Sequence, residues 1–204
     1  MLYIFDEIES MDDDAVNSMI SLLSDQRITK VQKLQFGPGK KASVLAYLLL
    51  RIALLEQYGI DEAVEFDFAE NGKPMLPDFP QIHFNLSHSK GVVACAVSDV
   101  EVGVDVQHIT PISDKVAKRV LTETEYALFI QSFEPNDFFC EIWTVKESYL
   151  KKTGQGITVE LRDITADAIK DKKVFCGKDY FCCVCGPEMQ IKHVRRNDFE
   201  QLCK

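Results

Sequence analysis

The 204 residues are 46% hydrophobic and 27% charged, a balance that can bury a core without disulfide or metal staples. Lys and Arg total 23 against 32 Asp and Glu, a net charge of −9, which excludes the broad basic surface that coats nucleic acid. A small anionic ligand is not excluded, because a local basic pocket can sit inside an acidic molecule.

Tyr3–Ile8 predicts a short strand and lacks the charged n-region and long apolar run of a signal peptide. A helix follows from the Asp12–Asp14 cap region to about Leu23. Residues 1–25 hold seven acids and no base, whereas residues 26–51 hold six bases (Arg27, Lys30, Lys33, Lys40, Lys41 and Arg51) and no acid. That basic block is a candidate anion site or a solvated helix face. It leads through Phe36-Gly-Pro-Gly39 into a long helix over Lys41–Gln57, stopped by Gly59. The apolar window Ala42–Leu55 is interrupted by Arg51 and falls short of the roughly 20 residues of a bilayer span. A cytoplasmic protein without a membrane segment is expected.

Glu65–Phe68 reads as a strand that turns at Asn71-Gly72-Lys73-Pro74. Ile82–Leu86, Val92–Ser98 and Val102–Val106 follow as an antiparallel meander ending near Pro111. The second half predicts helices over Ser113–Leu121, Glu123–Phe133 (opened by a Thr122-x-x-Glu125 capping box) and Asn136–Thr153. Val159–Ile164, Lys173–Phe175, Tyr180–Cys185 and Met189–Val194 read as closing strands. Each half places helices before strands, which predicts an α+β fold of two similar lobes, 1–110 and 111–204, sharing one interface. The seven cysteines include Cys182, Cys183 and Cys185 in one strand, where they read as buried thiols rather than a zinc site.

Three islands carry chemistry. In Asn85-Leu-Ser-His-Ser89, His88 sits at a strand end beside Ser87; neighbours on a strand face opposite ways, so phosphate recognition fits better than a Ser–His nucleophile pair. In Gly103-Val-Asp-Val-Gln107, Asp105 stands in an apolar strand and must be paired, hydrogen-bonded or bound to a cation. Gln107 shares its face and offers an amide oxygen, a donor set suited to Mg²⁺; a salt bridge to a helix lysine is the competing reading. In Trp143-Thr-Val-Lys-Glu-Ser-Tyr-Leu-Lys151, Glu147 and Lys151 are i and i+4 on the face that carries Trp143. They form either a surface ion pair or, beside a buried Trp, a metal ligand and a phosphate partner.

In this order and spacing the islands resemble the surfactin-type 4′-phosphopantetheinyl transferases. That family's pattern is Gly-(Ile/Val)-Asp, followed about 40 residues later by (Trp/Phe)-x-x-Lys-Glu-(Ser/Ala)-x-x-Lys. Gly103-Val104-Asp105 and Trp143 to Lys151 fill it, and Gly72-Lys73-Pro74 with Asn85 to Ser89 look like its substrate-side motifs. The resemblance implies transfer of 4′-phosphopantetheine from coenzyme A to a serine of an apo acyl or peptidyl carrier protein. It further implies Mg²⁺ held by Asp105 and Glu147, with Glu125 near it, and Lys151 balancing phosphate charge. Glu147 or a metal-bound water would take the serine proton. His88, Lys73, Ser87 and Lys40 or Lys41 would grip phosphates, and one chain would form the whole site as a monomer. Gln107 departs from the pattern, since many bacterial members carry a second acid there. That departure motivates one competitor, a coenzyme A-binding protein without catalysis; a module that binds carriers without modifying them is a second.

Overall fold

The computed structural model describes residues 1–35, 37–156 and 159–202. The first half runs β1 (Leu2–Phe5), α1 (Asp13–Ser18), α2 (Asp25–Gln32), α3 (Pro38–Tyr58), β2 (Asp67–Phe68), β3 (Pro74–Met75), β4 (His83–Ser89) and β5 (Val92–Ser98). The second runs β6 (Gly103–His108), α4 (Asp114–Val120), α5 (Glu123–Phe129), α6 (Pro135–Thr153), β7 (Lys172–Cys176), β8 (Tyr180–Cys185), β9 (Ile191–His193) and α7 (Arg196–Gln201).

Every residue of α3 from Ala42 to Leu54 is buried, so this helix has no solvent-facing stripe along its middle and must be enclosed. It packs on a four-stranded sheet of order β4-β5-β1-β9. All four residues of β1 and all seven of β5 are buried, which requires cover on both faces of the sheet. Tyr3, Phe5, Val93, Cys95 and Val97 point to α3, while Leu2, Ile4, Ala94 and Ala96 point to Val104, Val106, Cys182 and Val184 of a second sheet. That sheet has the order β6-β8-β7, and its outer face carries α6 through Cys183 and Cys185 against Val145. The result is an α+β fold in four layers, helix–sheet–sheet–helix.

The closeness of α6 to the second sheet depends on Gly103. A Cβ there would overlap the Ser148 carbonyl oxygen and the Lys152 backbone nitrogen, and backbone cannot rotate aside. Gly103→Ala is expected to destabilise the fold by about 3 kcal/mol, the upper part of the usual overpacking range. Urea unfolding checks this, and a midpoint equal to that of the parent would overturn it.

Several expectations are corrected. The meander breaks after two strands: the far edge of β5 is taken by β1, and β6 pairs with β8 in the other sheet. Residues read only as basic lead-in form α2, which begins at Asp25 after Ser24 and buries Arg27 and Val31, i and i+4. In place of a strand over Val159–Ile164, Leu161–Asp163 make a 3₁₀ turn; Ile157 and Thr158, like Phe36, lie outside the described residues. The helix expected to reach Phe133 ends at Phe129, because Pro135 starts the next one. The expected division near residue 110 is crossed by the end of the chain. β9 pairs in parallel with β1, and Phe199 of α7 stacks edge-on against Phe5 at 4.9 Å. No helix among the described residues is long and apolar enough to cross a membrane.

Candidate active site

The two sheets meet along β4 and β6, where side chains stand in for a strand ladder. Asn85, Ser87 and Ser89 alternate onto one face of β4. Asn85 Oδ1 accepts from the Val104 N–H at 2.9 Å, Ser87 Oγ from Val106 at 3.1 Å, and Ser89 Oγ from His108 at 2.9 Å. These bonds satisfy the amides of β6 that β8 does not reach, and they fix Ser87 beside Asp105.

Gly103, Asp105 and Gln107 share the face of β6 turned to α6. Asp105 is 2% exposed and its carboxylate is fully engaged. Oδ1 accepts from Ser87 Oγ at 2.8 Å and Lys151 Nζ at 2.6 Å, and Oδ2 accepts from the Gln107 amide nitrogen at 2.8 Å. The Lys151 ammonium also reaches Ser87 Oγ at 3.0 Å. Glu147, one turn before Lys151, is half-buried. Burial and the neighbouring Asp105 charge push its carboxyl above the usual range, against the pull of Lys151. Glu147 and Lys151 line a cavity of about 270 Å³ together with Asn71, Lys73 and Asn85; Asp105 does not line it.

His88 points the other way, into a cavity of about 510 Å³ shared with Gly37–Gly39 and Lys41. His88 is exposed at its outer side, yet enclosure of its ring by neighbouring protein, and then the positive charges of Lys151, Lys30 and Arg27, hold its imidazole below the usual value, against the opposing effect of Asp105. Arg27 and Lys30 belong to the basic block flagged as a candidate anion site, although neither is singled out there as a phosphate partner. The Arg27 guanidinium is 7% exposed, donates to Ser43 O and Oγ at 3.3 and 3.1 Å, and lies over the Tyr47 and Phe66 rings. No carboxylate among the described residues pairs with it. A buried cation without an anion is costly, and this one acts on the imidazole. The pertinent signal was the i, i+4 spacing of Arg27 and Val31, which marks Arg27 as inward-facing.

The other expected residues have further partners of their own. Lys41 Nζ is bound by Met11 O at 2.6 Å and Asp13 at 3.0 Å; Lys40 precedes it, half-buried, in the first turn of α3. Lys73 pairs with Glu101 and donates to Val102 O at 3.2 Å and Lys152 O at 2.8 Å, tying the β2–β3 turn to the end of α6. Glu125 is not brought to Asp105 and Glu147. Its Oε1 accepts from Ala166 N at 2.9 Å, and its Oε2 from Thr122 N at 2.9 Å and Lys146 Nζ at 2.5 Å. With both oxygens committed to a helix cap and a buried lysine, it has no place as a metal ligand.

A hard divalent cation fits this donor set in part. Asp105 and Glu147 offer oxygen donors, yet no group of three or more His, Cys, Asp or Glu able to hold an ion exists among the described residues. Mg²⁺ tolerates such a half-built site because it keeps waters and draws further oxygens from phosphates.

Residues 101–190, which contain both Asp105 and Glu147, match the ACPS family, the 4′-phosphopantetheinyl transferase superfamily. Over 158 residues the chain is 32% identical to the 4′-phosphopantetheinyl transferase Sfp of Bacillus subtilis, covering 76% of this chain and 70% of that protein. This chain belongs to the 4′-phosphopantetheinyl transferase family. The transferase is also 40% identical over 182 residues to the gsp protein of Aneurinibacillus migulanus, with 79% and 76% covered. It is 32% identical over 172 residues to psf-1 of Bacillus pumilus, with 81% and 74% covered. Both carry the same enzyme name, and the transferase is an enzyme of that class.

Proposed function

We propose that this transferase moves the 4′-phosphopantetheine of coenzyme A to a serine of an apo acyl or peptidyl carrier protein, releasing 3′,5′-ADP. The observation that carries this reading is the convergence of Asp105, Ser87, Glu147 and Lys151 at the seam of the two sheets, beside the cationic surroundings of His88. A new bond forms from the serine oxygen to the phosphorus that bears pantetheine. The bond from that phosphorus to the bridging oxygen breaks, and 3′,5′-ADP departs with the electron pair. Glu147 receives the serine proton, and a carboxylate whose pKa is raised by burial is a stronger base for that task. Lys151 offsets the charge of the diphosphate. His88 and Lys41, which line one cavity, hold the phosphates at the adenosine end. A divalent cation held by Asp105 and Glu147 would supply further charge neutralisation on the leaving diphosphate.

The test is incubation with coenzyme A, Mg²⁺ and a panel of apo carriers, read by mass spectrometry as one added phosphopantetheine. Coenzyme A binding with no mass gain on any carrier would favour the non-catalytic reading that Gln107 motivates. A second measurement concerns His88. Bound phosphates oppose the charges that depress its pKa, so 3′,5′-ADP is expected to raise that pKa and cause proton uptake near neutral pH. Imidazole proton shifts in an NMR pH titration check this; an unchanged or lowered pKa would place the phosphates elsewhere.

A further inference from the structure

Asp105, assigned above to a cation, does not line the cavity beside Glu147. The Lys151 ammonium is bound to it at 2.6 Å and is itself part of the cavity wall. The Lys151 side chain is 29% exposed, against 3% for Asp105, so Lys151 lies over the carboxylate and retains access to solvent. On the other oxygen, Gln107 presents its NH₂ group at 2.8 Å. That orientation follows from chemistry, because an ionised carboxylate only accepts and the amide must turn its donor inward. Three donors therefore surround Asp105, and Gln107 can present its oxygen to an ion only by giving up one of those bonds. Asp105 and Glu147 bring two negative charges when ionised, Lys151 brings one positive charge, and Gln107 brings none.

We propose that Lys151 is the resident counter-cation of Asp105, and that it leaves this carboxylate only when a diphosphate offers it a new partner. A divalent ion and the diphosphate of coenzyme A then enter together, with Gln107 setting how strongly each depends on the other. This rests on the metal reading above and adds the exchange. An ion arriving alone must push the ammonium off Asp105 into water, with no third acid to attract it. A diphosphate gives Lys151 anionic oxygens within reach of the same cavity and supplies the missing ligands. Such coupling is reciprocal, so the ion must strengthen coenzyme A binding by the factor by which coenzyme A strengthens ion binding.

The experiment is direct titration with Mn²⁺, free ion followed by electron paramagnetic resonance, with and without saturating coenzyme A and in the absence of any carrier. The parent protein is expected to bind Mn²⁺ at least about tenfold more tightly with coenzyme A present. Coenzyme A binding measured by calorimetry with and without Mn²⁺ should change by the same factor. Lys151→Met decides between exchange and simple phosphate binding. Exchange predicts tighter Mn²⁺ binding without coenzyme A, because the competitor has gone. A lysine that serves only the phosphates predicts no change there, and that result overturns the proposal. Gln107→Glu is expected to tighten coenzyme A-free Mn²⁺ binding and shrink the coupling. Equal Mn²⁺ affinity with and without coenzyme A in the parent would overturn the exchange and leave the metal reading standing. No Mn²⁺ binding even with coenzyme A saturated would overturn both.

Discussion

Asp105→Ala is expected to lower the transfer rate by at least about 10²–10³-fold, the range seen when one preorganised charge-stabilising group is removed from an active site. This carboxylate orients Ser87, Lys151 and Gln107 at once, and it is one of the two acids available to a divalent ion. Its removal leaves Glu147 as the single anion at the seam and frees Lys151 from its anchor. The effect should fall mainly on the chemical step. Coenzyme A affinity without metal ion should not fall, because His88 and Lys41 are untouched and Lys151 no longer has to leave Asp105 to meet the diphosphate. Single-turnover transfer followed by mass spectrometry, beside a thermal melt to confirm folding, measures this. A folded variant with near-parent rates would remove Asp105 from the mechanism.

The second large effect is structural. Lys146 is fully buried, and its ammonium is held by Glu125 at 2.5 Å and Val120 O at 2.8 Å. Glu125→Ala strands that ammonium in the core and also removes the acceptors of Thr122 N and Ala166 N. Breaking one partner of a buried pair costs about 3–5 kcal/mol, and that loss is expected by urea unfolding. Lys146→Met combined with Glu125→Gln should recover part of it, since no unpaired charge remains buried. The pair also has a pH signature. Burial works to raise the Glu125 pKa, but the hydrogen bonds from Lys146, Ala166 and Thr122 outweigh it and hold the carboxyl below its ordinary value. A depressed carboxyl contributes stability above its unfolded pKa of about 4.3, and that stability is lost as pH falls through the lower folded value. The parent should therefore lose stability on acidification below about pH 4.3 more steeply than the doubly substituted protein. Parallel acid-unfolding curves would contradict this.

These two acids also show what could be read from residue order and what could not. Asp105 was legible because a carboxylate in an apolar strand demands a partner, and the i, i+4 spacing put Glu147 and Lys151 on one helix face. Glu125 was placed wrongly, although its capping box was recognised. The box already consumes one carboxylate oxygen, and Lys146 lies one position from Glu147 but on a different side of α6, towards Glu125. The long helix and the β4–β5 hairpin followed from local patterns of 3.6 and 2 residues. The destination of β6 did not, because an alternating strand specifies which face is buried and not which neighbour it pairs with. Likewise the basic block flagged the correct region. That Lys41 shares the His88 cavity while Asp13 already engages it needed the three-dimensional fold.

The parallel pairing of β9 with β1 bears on the order in which this protein can assemble. Strands separated by nearly the whole chain must meet, and such distant contacts form slowly. During synthesis, the Leu2–Phe5 strand emerges early and can gain its antiparallel neighbour once residues 92–98 appear. Its opposite edge stays open until residues 191–193 leave the ribosome. Until then the nascent chain carries an unpaired edge on an apolar strand, the kind of surface that invites aggregation. The same closure that completes the first sheet, seated by Phe199 against Phe5, must wait until every other strand of the two sheets has been made.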